Sequence, residues 1–210
     1  MYSPNAFIVT DPSIIRDFIC QNGFGILISY DGENFVDTHT PLMISSDLKY
    51  ITGHIARANP QWQAWEKNIN VKVIFHGPHA YISPRYYQSD FNVPTWNYSA
   101  VSIDGRISVI DDPDECVHII RDLISQYEGN SGWKLNVNDS RYMKLFEAIV
   151  CFSIQIENVE AKFKLNQNKS AADQNNVIAC LLQSGASLDR ETAELMKLNR
   201  ARTVNADSIS

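Results

Sequence analysis

Alternation of apolar and polar residues at period two constrains this chain more than any other feature. Val150, Phe152, Ile154 and Ile156 alternate with Cys151, Ser153, Gln155 and Glu157. Such a segment has one buried and one wet face, the mark of a half-buried strand in an antiparallel sheet. Val71, Val73 and Phe75 alternate with Lys72, Ile74 and His76 and predict a second strand that continues towards Tyr81. Residues 24–30, the turn Asp31-Gly32, residues 35–45 and residues 48–54, entered through Ser46-Asp47, read as a β-meander. Residues 97–110 read as a hairpin around Asp104-Gly105, a favoured two-residue turn pair.

Helices announce themselves by caps. Asp11-Pro12, Asn59-Pro60 and Asp112-Pro113 each place a capping side chain before a proline, which fits the first helical turn because its missing N–H has no partner there. The first opens a helix over 12–21 with Ile15, Phe18 and Ile19 on one face. The second carries Trp62 and Trp65. The third, with Glu115 as a capping-box residue, shows Val117, Ile120, Ile124 and Tyr127 on one face until Asn130-Ser131-Gly132 breaks it. A short helix is expected over 140–148, and two more over 171–184 and 189–200, joined at Gly185-Ala186-Ser187. Residues 84–94 read as an ordered loop. There is no internal repeat. Seven or eight strands with inserted and trailing helices make the fold class α+β, with an antiparallel barrel or sandwich core.

The 210 residues carry 18 Lys and Arg against 24 Asp and Glu, a net charge of −6. An acidic chain is poorly suited to neutralising polyphosphate, which argues against non-specific nucleic-acid binding. Cys20, Cys116, Cys151 and Cys180 lie far apart without a CxxC pair, so the expectation is four separate thiols and no zinc site. The start has no basic, apolar leader and no apolar run is long enough to cross a bilayer, so a cytoplasmic location is expected.

Four stretches carry polar groups that a fold does not need. In residues 53–60, Gly-His-Ile-Ala-Arg-Ala-Asn-Pro, a strand ends at His54, Arg57 follows, and Asn59 caps a helix. A guanidinium beside a helix start is a natural anion site, or merely decorates that start. In residues 76–84, His76 and His79 flank Gly77-Pro78, which suits a ligand wall or an edge-strand bulge; no third ligand stands near enough for a metal. Trp96, Asn97 and Tyr98 can stack on and hydrogen-bond a flat heterocycle, or fill a dimer interface. Lys162, Lys164 and the amides of Asn166, Gln167 and Asn168 can meet a phosphate or ring edge, or form a solvated strand end. No nucleophile elbow, paired carboxylates or phosphate-binding loop is present.

In order along the chain, Met1-Tyr2-x-Pro4-x-x-Phe7, Thr38-His39-Thr40-Pro41-Leu42, Gly53-His54-x-Ala56-Arg57-Ala58-Asn59-Pro60-Gln61-Trp62, Gly77-Pro78-His79-Ala80-Tyr81-Ile82-Ser83-Pro84, Val93-Pro94-Thr95-Trp96-Asn97-Tyr98 and Lys164-Leu165-x-Gln167-Asn168-Lys169 resemble the PaiB-like family of FMN-binding negative transcriptional regulators. The resemblance covers residues 1 to about 180 and departs at Asn166, where the family's motif has serine. It implies an antiparallel split β-barrel that pairs as a homodimer, with FMN in the groove between two chains. Residues 1–168 would form that domain, and 169–210 a helical extension belonging to it or packing on the partner chain. By the same likeness Arg57 meets the phosphate. Ala58 stands where a second cation is expected, a place that Lys164 would have to fill, and the strand at Thr38-His39-Thr40 runs under the flavin ring. His39, Thr40, His54, Arg57, Asn59, His79, Trp96, Asn97, Tyr98, Lys164 and Gln167 are thus the expected cofactor contacts.

Two functions compete. The resemblance implies a repressor, and Arg190, Lys197, Arg200 and Arg202 in the last helices suit helix-turn-helix contact with DNA, although the net charge does not support it. The alternative is a flavin-dependent oxidoreductase acting on a small molecule: flavin brings its own redox chemistry, and His39, His54 or His79 could move protons near neutral pH. A groove of this kind could also hold another flat cofactor such as haem.

Overall fold

The computed structural model describes residues 1–129 and 132–207. Asn130 and Ser131, two of the three residues expected to break a helix, lie outside the described residues. In chain order the elements are β1 (Ile8–Val9), α1 (Pro12–Gln21), β2 (Phe24–Tyr30), β3 (Phe35–Ile44), β4 (Tyr50–Ala56), α2 (Gln61–Ala64), β5 (Asn70–Ile82), β6 (Thr95–Ile110), α3 (Pro113–Glu128), α4 (Ser140–Phe146), β7 (Ile149–Lys164), α5 (Ala171–Leu182) and α6 (Ser187–Asp207). The sheet order is β1-β7-β4-β3-β2-β5-β6, and a further β7–β6 pairing closes six of the strands into a ring. The class is therefore α+β, built on an antiparallel barrel. Among the described residues no helix is long and apolar enough to cross a membrane.

The chain forms two compact units. One comprises Asp11–Phe75 and Val101–Val159. Here the alternation read from the sequence becomes register: Ile26 to Ser29 pair with Ile74 to Val71, Leu42 to Ile44 with Gly53 to Ile51, and Tyr50 to Ala56 with Gln155 to Ile149, all antiparallel. Leu27, Leu42, Ile51, Val73, Phe75, Val101, Ile103, Phe152 and Ile154 are fully buried. Removing side chains of this size from water stabilises the fold by roughly 1.5–3 kcal/mol each, before the entropy of ordering them. Gln61 is a polar exception inside this unit. Its amide nitrogen reaches the Leu27 carbonyl (3.1 Å), the Ser29 hydroxyl (2.8 Å) and the Val36 carbonyl (3.2 Å), while its oxygen accepts from the Thr38 hydroxyl.

Three expectations are corrected in this unit. Residues 97–110 form no hairpin; β6 runs unbroken from Thr95 to Ile110. Asp104-Gly105 is not a turn, because a Cβ on Gly105 would lie 2.5 Å from the Gln155 carbonyl oxygen. Glycine there permits close approach of β6 and β7, the second reason for glycine in a strand. The buried side of α3 is formed by Cys116, Val117, Ile119 and Leu123, while Tyr127 is exposed; the expected stripe was rotated by about one residue. The thiol expectation also fails for two of the four cysteines. Cys116 and Cys151, whose Cα atoms are 5.7 Å apart, form a disulfide, and Cys20 and Cys180 remain free. A separation of 35 residues carries no pairing signal, and only the packing of α3 beside β7 brings the sulfurs together.

The other unit comprises Met1–Thr10, His76–Ala100 and Glu160–Ser210. Ile8 and Val9 pair with Lys162 and Ala161. Phe163, Leu165, Val177, Leu181, Ala193 and Met196 are buried with Ala80 and Ile82. The loop after β5 is tied to the start of α5. The Asp173 carboxylate accepts from the Gln88 amide (2.8 Å), the Ser89 amide (3.2 Å) and the Ser89 hydroxyl (3.0 Å), and the Asn176 side chain donates to the Tyr86 carbonyl (2.8 Å). Burial alone would raise the Asp173 carboxyl, but these donors outweigh it and hold the group below its ordinary value of 3.8. A depressed carboxyl contributes stability above its unfolded pKa, and that contribution disappears as pH falls through the folded value. Thermal melting followed from pH 7 to pH 2.5 should therefore show an acid-side loss beginning below about pH 4. Asp173→Asn should blunt that loss, and an identical pH profile in the variant would contradict the clamp.

Candidate functional site

The expected contacts fall into two groups, one in each unit. In the unit with Arg57, β4 ends at Ala56 and the chain turns into the short helix α2. The expected cap is shifted: α2 begins at Gln61 with Pro60 at the N-cap position and no side-chain cap. Asn59, one residue earlier, accepts from the Gln61 amide at 3.0 Å and donates from its side-chain nitrogen to the Thr38 hydroxyl at 2.8 Å. The Thr40 hydroxyl donates to the His54 carbonyl at 2.6 Å. Asn59 and Thr40 thus hold the backbone around the site rather than project from it. The Arg57 guanidinium is exposed but fixed: Nε donates to the Glu147 carbonyl (2.7 Å) and Nη2 to the Ile149 carbonyl (2.8 Å), while the Arg57 amide bonds Ala148 (2.8 Å). Nη1 makes no hydrogen bond to the described residues.

Arg57 stands at the rim of a cavity of about 560 Å³ with Ile110, Met143, Phe146, Lys144 and both cysteines of the disulfide. Asp111, Asp112 and Glu147 line it as well, so it is no general basin for anions, and an anion there would have to meet Arg57 or Lys144. His54 is half-buried on β4. Its Nδ1 has no hydrogen-bond partner, and burial pushes the imidazole below its ordinary value, so the ring is neutral near pH 7.

His39 opens instead on a cleft of about 800 Å³, walled by Ile26, Ile28, Tyr30 and Phe35, with Asn68, Asn70 and Lys72 as donors. Tyr30 and Phe35 pack with ring centroids 5.2 Å apart, and Phe35 is 79% exposed. Asp37, Asp104 and Glu157 also line the cleft, and Lys72 is engaged with Asp104. Three carboxylates against one paired cation exclude a phosphate from this place and leave it suited to a flat, largely apolar ring. Tyr30, Phe35 and Lys72 were not among the expected contacts. Their signal lay in the outward positions of the alternating strands.

In the second unit, strand alternation separates the expected triplet. Trp96 is exposed and Tyr98 half-buried, whereas Asn97 points inward, fully buried, with its nitrogen 3.4 Å from the Met196 sulfur and its oxygen unpaired. Trp96 lies beside His79 (centroids 6.1 Å) and edge-on to Tyr81 (5.9 Å). Lys164 is held by the Trp96 carbonyl (2.7 Å) and the Thr95 hydroxyl, and burial, followed by the charge of Lys162, pushes its ammonium below the usual lysine value. Gln167 bonds the Leu165 amide (2.7 Å) and the Phe163 carbonyl. Gln167 and Asn97 therefore serve the local fold, while Trp96, His79, Tyr98 and one remaining donor of Lys164 face outward. Of the four cations expected to reach DNA, three are engaged within the chain: Arg190 bonds Ser184, Lys197 pairs with Glu194 and Arg200 bonds Asn175, while Arg202 is exposed.

A closed antiparallel ring of six strands, with a fixed arginine at one strand end and an aromatic-walled cleft on its outer face, is an architecture of the split-barrel class. The chain belongs to the PaiB-like family of FMN-binding proteins: residues 1–158 match the family model described as "Putative FMN-binding domain". It is 37% identical over 203 residues to the protease synthase and sporulation protein PAI 2 of Bacillus subtilis, covering 94% of this chain and 97% of that one. Among solved structures, an FAD- and haem-binding protein from Mycobacterium smegmatis is similar over 80% of this chain and 78% of its own (TM-score 0.61, 13% identity). A flavocytochrome from Azotobacter vinelandii is similar over 75% and 69% (TM-score 0.60, 14% identity). At such identities these likenesses show the fold. The cofactor of the family, and so of this chain, is FMN. Taken separately, the free edge of the Arg57 fork suits a phosphate, and the cleft at His39 suits a ring but not a phosphate.

Proposed function

We propose that this chain is a homodimeric FMN-binding regulator whose flavin lies in the groove between two copies. FMN would bring two-electron redox chemistry to the groove. Arg57 binds the phosphate, and His39 with the aromatic wall of the cleft orients the ring; Trp96, Tyr98, His79 and Lys164, which belong to the other unit, are assigned to the flavin by the family resemblance alone. Residues 1–168 form the flavin domain, with 169–210 as a helical extension. The observation that carries this reading is the exposure of Phe35, Phe24 and Tyr30 on the ring's outer face, apolar surface of the kind that marks interaction and ligand sites. A second copy would cover it and enclose the flavin. The regulatory role rests on the likeness to the sporulation protein. With Arg190, Lys197 and Arg200 engaged within the chain and a net charge of −6, α6 does not favour direct DNA contact.

Sedimentation velocity of the FMN-loaded protein tests this directly. Wild type should sediment at twice the chain mass. Phe35→Glu should yield monomers that also lose FMN, because both faces of the groove are needed. A folded monomer that keeps full FMN affinity would overturn the inter-chain site.

A further inference from the structure

The disulfide sits where its chemistry can be used. Cys116, in the second turn of α3, is 8% exposed, and Cys151, on β7, is 1% exposed; both belong to the wall of the cavity that holds Arg57. Apolar Ile119, Ile110, Phe146 and Ile149 pack around the bridge. In the β4–β7 ladder Cys151 lies directly opposite His54, and side chains facing each other in this way share a face with Cβ atoms about 5 Å apart. His54 is also the one described histidine with a buried, unpaired ring nitrogen. A buried polar atom without a partner costs free energy, and here it stands next to a sulfur that can become a hydrogen-bonding thiol.

We propose that Cys116 and Cys151 form a reversible thiol–disulfide switch, with His54 exchanging the proton at the Cys151 sulfur. A small-molecule thiol enters through the cavity, gives its proton to His54 Nδ1, and attacks the better exposed Cys116 sulfur. A new sulfur–sulfur bond forms there, the Cys116–Cys151 bond breaks, and the leaving Cys151 sulfur takes a proton through His54 Nδ1. A second thiol releases Cys116 as a thiol. The balance is two thiols oxidised to one small disulfide while the protein disulfide is reduced to two thiols. The thiol of Cys151 then gives His54 Nδ1 the partner it lacks in the oxidised state. Because β7 begins at Ile149, whose carbonyl anchors Arg57, release of the bridge loosens the strand end that fixes the guanidinium. That last link rests on the assignment of Arg57 to the FMN phosphate.

The test equilibrates the full chain in glutathione buffers of graded ratio, quenches with acid, denatures, alkylates and counts thiols by mass. Two alkylated cysteines, Cys20 and Cys180, should give way reversibly to four as the buffer becomes reducing, and Cys116→Ser should show three at every ratio. His54→Gln should keep the midpoint but slow reduction at fixed glutathione by roughly tenfold or more. Four thiols at every ratio, two thiols until the protein unfolds, or an unchanged rate in folded His54→Gln would each overturn the switch. FMN titration of the two forms reads the link to Arg57 separately: affinity should fall severalfold on reduction. Equal, tight FMN binding by both would break the link alone, and no binding by either would remove the Arg57 assignment while leaving the thiol counts to stand.

Discussion

Gly105→Ala is expected to lose about 2–3 kcal/mol of stability, a cost typical of forcing atoms into a filled interior. The added Cβ would meet the Gln155 carbonyl oxygen at 2.5 Å and the Ile154 Cγ2 at 2.7 Å. The first is backbone and cannot rotate away, so β6 and β7 must separate where their pairing closes the ring. For a chain of this length each kcal/mol shifts the melting temperature by about 2–4 °C, so a drop of roughly 4–12 °C should appear. Gly185→Ala is the matched control, because nothing lies within 4 Å of its added Cβ, and it should melt close to wild type. Urea denaturation of the three proteins measures the difference. Gly105→Ala behaving like Gly185→Ala would mean that the barrel is not closed at this point.

Arg57→Ala should weaken FMN binding by roughly tenfold to a hundredfold, the worth of a charge-assisted hydrogen bond of about 1.5–3 kcal/mol. The effect is large because Arg57 presents a fixed fork, whereas Lys144, the other cation lining that cavity, is only a point charge on a flexible stem. Asp111, Asp112 and Glu147 line the same cavity, and Ala58 offers no second charge. The two carbonyls that hold Nε and Nη2 pre-orient the free edge, so little rotamer entropy remains to be lost on binding. The same anchoring means that alanine also removes two tertiary bonds, and Arg57→Lys separates the effects. Lysine keeps the charge without the fork and should bind FMN with intermediate affinity. Fluorescence quenching of FMN, alongside a melt of each variant, gives both quantities. Unchanged affinity in folded Arg57→Ala would place the phosphate elsewhere.

Much of the barrel was legible because period-two alternation reports burial directly. Residues 24–30 and 12–21 emerged with the observed bounds of β2 and α1, and β5 ran on into Tyr81 as expected, ending one residue later at Ile82. The failures share one physical origin, long-range contact. Asp104-Gly105 has the composition of a turn, and only the carbonyl of Gln155 decides that its glycine serves close strand approach. Cys116 and Cys151 carry no local sign of pairing. The site was legible in part. Arg57 was marked by its place between a strand end and a capped helix, whereas Asn59, Asn97 and Gln167 had the right chemistry for a ligand but use it on Thr38, Met196, Leu165 and Phe163. Amides serve backbone and ligand equally well, so residue type alone could not separate the roles.

The central claim is that this chain binds FMN at a defined site. Titration of the purified wild-type protein with FMN, followed by flavin fluorescence, tests it most directly. The expected result is saturable quenching at one flavin per chain, lost together with the dimer in Phe35→Glu. Quenching that rises without saturation, or none, would contradict the account.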